Sequence, residues 1–322
     1  MASLFKKRIG RIIIGLTFYV ISIPHISLAN DMPMAGITAN GIVVKDETNI
    51  QIDKETLYIS NSLIEVSYEL KNLSNADITT EVAFPIPQHR YDPTGHIKHP
   101  VHGDFKLIVN GKEVKCALQA RALFKDKDYT SLLAGMNVSI VDFGSNNKFF
   151  SRLNKGNQKT LLDLGLVTDD PAEGVMPQWS VDATYYWNQT FPANKTISIK
   201  HSYRPNTYSA TRYFRAGRSY EAAEEIESLA KDYCLSKELT TWMEKTGSGF
   251  RYEQVSYILT TANHWKRPIK EFHITIEPAK YSDFKVSTCF EYGKLKKVGD
   301  KRYVGEFKNF IPDKEIEVHY LQ

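Results

Sequence analysis

Apolar and polar residues alternate with a period of two over much of this chain. Residues 50–52 and 57–59 open the pattern. Residues 64–70 then place Ile64, Val66, Tyr68 and Leu70 on one side of an extended segment and Glu65, Ser67 and Glu69 on the other. Strands with one dry face predict stacked sheets. Residues 72–77 read as a turn and residues 78–84 resume the strand, which Pro85 and Pro87 are expected to end because neither can donate to a ladder. Residues 105–109 run into Asn110-Gly111, a hairpin signal, and residues 112–116 return.

From residue 117 to about 165 the apolar spacing turns helical, and residues 169–177 read as a loop. Strand patterns return at 179–187 and 196–203. Residues 219–233 predict an amphipathic helix, with Glu221, Glu224 and Glu225 in its early turns and Ala222, Ile226, Leu229 and Tyr233 along one stripe. A shorter helix passes through Leu239, Trp242 and Met243, and strand patterns at 255–259, 272–276, 284–290, 303–307 and 316–320 fill the remainder. Residues 186–203 and 307–320 echo each other as strand, Pro-containing turn, strand. The expected fold is therefore mainly β (α+β), with two β-sandwich-like domains and helical insertions. Residues 30–210 form the first, carrying the insertion near 117–165. Residues 211–322 join a helical segment to a smaller C-terminal β domain.

The N-terminus changes the electrostatic picture. Lys6, Lys7, Arg8 and Arg11 precede an apolar run of about 12 residues, and Ser27-Leu28-Ala29 places small side chains before a scissile bond. Residues 1–29 read as a cleavable export signal, the run being short for a membrane-spanning helix, which needs about 20 residues. Removing them lowers Lys plus Arg from 41 to 37 against 37 Asp plus Glu. The mature chain, beginning near Asn30, is nearly neutral, so the sequence pI near 8.7 gives no support for nucleic acid or an anionic membrane as partner. The expected location is the periplasm.

Export also bears on the three cysteines, Cys116, Cys234 and Cys289. In an oxidising compartment the simplest count is one disulfide and one thiol, and Cys234 with Cys289 is the preferred pair, tying a helix to a strand. The alternative is three buried thiols acting as small apolar groups.

Several stretches together resemble an exported bacterial family known only as domain of unknown function 4424. They include Leu57-Tyr58-Ile59-Ser60, Phe84-Pro85-Ile86-Pro87, Tyr185-Tyr186-Trp187-Asn188-Gln189, His201-Ser202-Tyr203-Arg204-Pro205, Tyr233-Cys234 and Trp265-Lys266-Arg267-Pro268. The resemblance implies a periplasmic protein and brings no activity or catalytic residue. A more distant likeness of pattern, over residues 47–210, is to the vault protein and inter-alpha-trypsin inhibitor domain. It implies a scaffold or interaction module.

Candidate chemistry is concentrated in one segment. His89, His96, His99 and His102 fall within fourteen residues, of nine His in the chain, with Asp92 and Asp104 nearby. Imidazoles suit zinc, copper or nickel. Pro93, Gly95, Pro100 and Gly103 make the segment an irregular loop, so a solvated polar loop is the competing reading. No Gly-x-Ser-x-Gly elbow, phosphate-binding Gly-rich loop, Cys-x-x-Cys or His-Glu-x-x-His occurs. The chain thus reads as a non-catalytic interaction or scaffold module of the cell envelope, with an envelope or periplasmic protein as partner. Metal binding through residues 89–102 is the alternative, and an envelope hydrolase built from distant residues a further one.

Overall fold

The computed structural model describes residues 32–38, 41–90, 104–141, 148–171, 174–213, 220–246 and 249–322. The chain opens with β1 (Met32–Thr38), β2 (Gly41–Val44), β3 (Glu47–Ile59), β4 (Ile64–Asn72) and β5 (Ile78–Arg90). The hairpin β6 (Lys106–Val109) and β7 (Lys112–Val114) turns at Asn110 and Gly111, which take φ of 49° and 77° as the expected mirror-type turn requires. β8 (Ala117–Phe124) and β9 (Lys127–Asp128) form the next hairpin. Three short helices, α1 (Thr130–Gly135), α2 (Lys148–Arg152) and α3 (Lys155–Asp163), lead to the hairpin β10 (Val167–Asp170) and β11 (Gly174–Pro177). β12 (Ser180–Phe191), β13 (Thr196–Tyr203) and β14 (Thr207–Tyr213) precede the helices α4 (Tyr220–Asp232) and α5 (Lys237–Thr246). The chain ends with β15 (Gly249–Tyr257), β16 (Trp265–Lys266), β17 (Ile269–Ile276), β18 (Lys285–Thr288), β19 (Lys296–Val298), β20 (Arg302–Phe310) and β21 (Ile316–Leu321).

The strands make one long sheet, β19-β20-β17-β3-β4-β13-β6-β7 with β16 beside β3, and two shorter ones, β2-β1-β5-β12-β8-β9 and β14-β15-β21-β18. Both shorter sheets pack on the same face of the long one. That face is the dry side read from the sequence: Ile64, Val66, Tyr68 and Leu70 of β4 and Ile197, Ile199, His201 and Tyr203 of β13 are all buried. Phe84 of the six-stranded sheet meets His201 at 4.2 Å between ring centroids. From the four-stranded sheet, the Tyr257 hydroxyl lies 3.4 Å from that of Tyr68 and Tyr320 donates to the Ile59 carbonyl at 3.3 Å. One continuous core results. A second, smaller core lies on the far side of the four-stranded sheet, where Ile226, Tyr233, Leu239 and Met243 of the helical segment cover Phe250, Tyr252 and Leu321.

The mainly β class is as expected, and four local readings are corrected. Residues 117–124 form a strand: Ala and Leu favour helix in isolation, but pairing of residues 117–123 with β12 overrides that preference. Helix is confined to short pieces after residue 130. Residues 169–177, read as a loop, belong to the β10–β11 hairpin, in which Asp169 faces Val175. Strand β5 continues through Pro85 and Pro87 to Arg90, with Pro85 opposite Thr184. The two prolines, two residues apart, present their missing donors to the same edge, and β1 accompanies β5 there only over residues 81–83. Finally, the chain crosses residue 210 without a break in the long sheet, because β17 from the C-terminal part lies parallel to β3, with Ile274 beside Leu57. Strands from both sides of that boundary share one sheet and one core.

Candidate functional site

Side chains alternate along β12, so Val181, Ala183, Tyr185 and Trp187 enter the core while Ser180 and Asp182 belong to the outer face of the six-stranded sheet. Register carries that outer row across four strands. Arg90 on β5 lies opposite Ser180, Ser180 opposite Leu123 on β8, and Leu123 opposite Asp128 on β9. Asp182 is likewise opposite Arg121. At this end of the sheet a cavity of about 720 Å³ opens, lined among others by Arg90, Arg121, Phe124, Lys125, Asp128 and Gln178.

The walls are held by hydrogen bonds and ion pairs. Arg121 and Asp182 form a direct ion pair across the strands. Gln178 donates to Thr168 Oγ1 at 2.9 Å and to the Met176 carbonyl at 3.2 Å, tying the cleft to the β10–β11 hairpin. Asp128 accepts from the Thr130 amide at 2.8 Å at the start of α1. The Lys125 ammonium sits 5.0 Å over the Phe124 ring. Arg90 makes no ion pair among the described residues. Lys125 and Asp126 carry φ of 48° and 61° in the β8–β9 turn, a left-handed pair usually given to Asn-Gly. The row from Arg90 to Asp128 spans three interstrand spacings, about 14 Å, with a cation at one end and a carboxylate at the other.

The residues singled out by sequence lie elsewhere or outside the described part. His96, His99 and His102 are outside the described residues, as are residues 1–29, the segment read as an export signal. His89 sits in β5 with its backbone paired to Val181. Among the described residues no group of three or more His, Cys, Asp or Glu gathers as a metal would require. Cys234 and Cys289 are bonded to each other with Cα atoms 5.2 Å apart, joining the end of α4 to the end of β18, and Ser287 Oγ donates to the Cys234 carbonyl at 2.8 Å. Cys116 is a half-buried thiol, and burial pushes its pKa up. Tyr185 and Trp187 are core residues, as strand alternation predicts. Tyr185 stacks on Phe105 at 4.1 Å, and burial, reinforced by Cys116 and Asp104, raises its phenol to about 12.

Three further ionisable groups are sealed inside the protein. Glu55 is wholly buried on the inner face of β3, opposite Tyr68. His201 is wholly buried among Tyr68, Phe84 and Phe105, and burial lowers its pKa to about 3. His319, packed 4.8 Å from the Tyr233 ring, is lowered by burial to about 4. None reaches the cleft. The cleft residues themselves escape sequence reading because Arg90, Arg121 and Asp128 belong to three strands and no local motif.

In comparison with solved structures, the chain is similar to a Legionella pneumophila protein proposed to bind nutrients, at 15% identity and a TM-score of 0.43, covering 91% of this chain and 70% of that one. It is also similar to a two-domain M1 zinc metallopeptidase bound to tryptophan, at 5% identity and a TM-score of 0.27, covering 86% of this chain and 44% of that one. No curated protein matches it in sequence. Among the described residues no helix is long and apolar enough to cross a membrane. The model of a domain of unknown function, DUF4424, matches residues 29–319, and the chain belongs to that family.

Proposed function

We propose that the mature chain is a periplasmic, non-catalytic binding module of the cell envelope, and that the cleft on its six-stranded sheet holds an envelope component. The observation that carries this reading is the row from Arg90 to Asp128. Backbone positions bearing charges of opposite sign stand about 14 Å apart across the sheet, and Phe124 and Arg121, the latter paired to Asp182, line the same cleft. Such a surface suits a short polar chain that carries a negative group toward Arg90 and a positive group toward Asp128. An extended peptide of about four residues has that reach. The export signal and the Cys234–Cys289 bond support an oxidising compartment outside the cytoplasm.

The test is retention. Purified mature protein is dialysed against low-molecular-mass and peptide fractions of periplasm, and retained compounds are identified by mass spectrometry. A compound held by the wild type and lost on Arg90→Glu or Asp128→Lys is the expected result. Retention of nothing, or of compounds indifferent to both substitutions, overturns the proposal.

A further inference from the structure

A sheet edge leaves half of its strand's backbone donors and acceptors without partners, and natural proteins shorten or charge such edges so that no second chain adds to them. Five edges here obey that rule. β7 and β19 are three residues long and carry Lys112, Glu113, Lys296 and Lys297. β9 is only Lys127–Asp128, β2 has four residues, and β18 has four and begins at Lys285.

β14 departs from the rule. Its seven residues pair with β15 along their whole length, from Thr207 opposite Val255 to Tyr213 opposite Gly249, and no described strand lies on the other side. The strand contains no Pro, Lys, Asp or Glu and no register shift. Its single charge does not guard the edge, because Arg212 is folded back on its own sheet. Arg212 Nε donates to the Tyr233 hydroxyl at 3.4 Å and the guanidinium lies 5.6 Å from the Tyr252 ring. Tyr208 and Tyr213 are 47% and 79% exposed, large apolar surfaces at the bare edge.

We infer that β14 is the docking strand for a second copy of this chain. The two strands pair antiparallel about a two-fold axis at Ala210, so that two four-stranded sheets become one of eight. The strand is complementary to itself in this register. Thr207 meets the partner's Tyr213, Tyr208 the partner's Arg212, Ser209 the partner's Thr211, and Ala210 its own counterpart. Aromatic–Thr and Ser–Thr pairs stabilise antiparallel ladders. A self-complementary strand gives an isologous contact that closes at two copies.

Sedimentation velocity of the mature protein from micromolar to submillimolar concentration is the test. A reversible dimer is expected. Thr211→Lys with Tyr213→Lys, both at exposed positions, should weaken it by about tenfold or more while circular dichroism stays that of the folded monomer. In a Cys116→Ser background, Ala210→Cys should form an intermolecular disulfide under mild oxidation, since residues facing across an antiparallel pair fall within disulfide reach. A monomer at every concentration overturns the inference. So does a dimer that ignores the lysines and leaves Cys at position 210 unlinked.

Discussion

At the scale of single residues, stability in this protein depends on polar groups that are buried and satisfied. Asn72 is wholly buried where β4 ends. Its amide donates to the Ala76 and Phe191 carbonyls, each at 2.8 Å, and its oxygen accepts from the Ser74 amide and hydroxyl at 2.9 and 2.8 Å. Asn72→Ala removes these four hydrogen bonds, although the Ser74 hydroxyl keeps its bond to the Ala76 carbonyl at 2.8 Å, and should cost about 2–4 kcal/mol in urea unfolding; a loss below about 1 kcal/mol would contradict this account. The two buried histidines make a prediction about pH. Their folded pKa values, about 3 for His201 and about 4 for His319, lie below the free value of 6.5. Above pH 6.5 both states are neutral and contribute no slope. Below it the unfolded chain takes up protons that the folded chain refuses, so stability falls with pH toward 4, by about 1.4 kcal/mol per pH unit for each histidine. His319→Leu should remove one such increment between pH 6 and pH 4, and denaturation curves with unchanged slope would reject the assignment. Strand parity reveals from sequence that His201 faces inward, whereas Asn72, read as the start of a turn, is shown to be buried only by the fold. The surrounding rings that set His201 come from three distant segments and are not legible locally.

Elements form where local preference and pairing agree, and they mark strain where the two conflict. The β8–β9 turn forces Lys125 and Asp126 into left-handed backbone, at a cost of roughly 1 kcal/mol or more each. Asp126→Gly should therefore stabilise the fold by about 0.5–1 kcal/mol, read as a rise in the denaturation midpoint with an unchanged slope. The turn places Lys125 over Phe124 at the cleft. The helical layer is fastened differently. The Cys234–Cys289 bond closes a separation of 55 residues and should contribute about 4 kcal/mol. Reduction is expected to lower stability by that order and to loosen first the small core around Met243 and Tyr252, measured by hydrogen exchange. Helices α4 and α5 were legible because their stripes repeat at helical spacing. Strand β8 was not, because Ala-rich sequence serves either state until β12 supplies a ladder.

For the whole molecule, the decisive contact is the parallel pairing of β17 with β3 over residues 54–59 and 271–276. It makes the long sheet common to both halves of the chain, so a fragment ending near residue 210 would leave one flank of β3 without its neighbour. Such a fragment should lack dispersed amide resonances, while the full mature chain should unfold in one transition; a folded fragment or two separable transitions would refute that view. The repeated strand, Pro turn, strand segments show the same limit. In the first the chain passes from the six-stranded sheet to the long one, and in the second from the long sheet to the four-stranded one. The sequence by itself determined the inward faces of β4 and β13, the turn at Asn110-Gly111 and the two amphipathic helices. These follow from side-chain periodicity and backbone dihedral preference, both local quantities. Only the tertiary structure decided which strands are neighbours, that Pro85 and Pro87 lie within a strand, and that Arg90, Arg121 and Asp128 share one cleft. The physical reason is that ladders join backbone groups common to every residue, so alternation fixes a strand's faces and leaves its partners to the packing of the whole core.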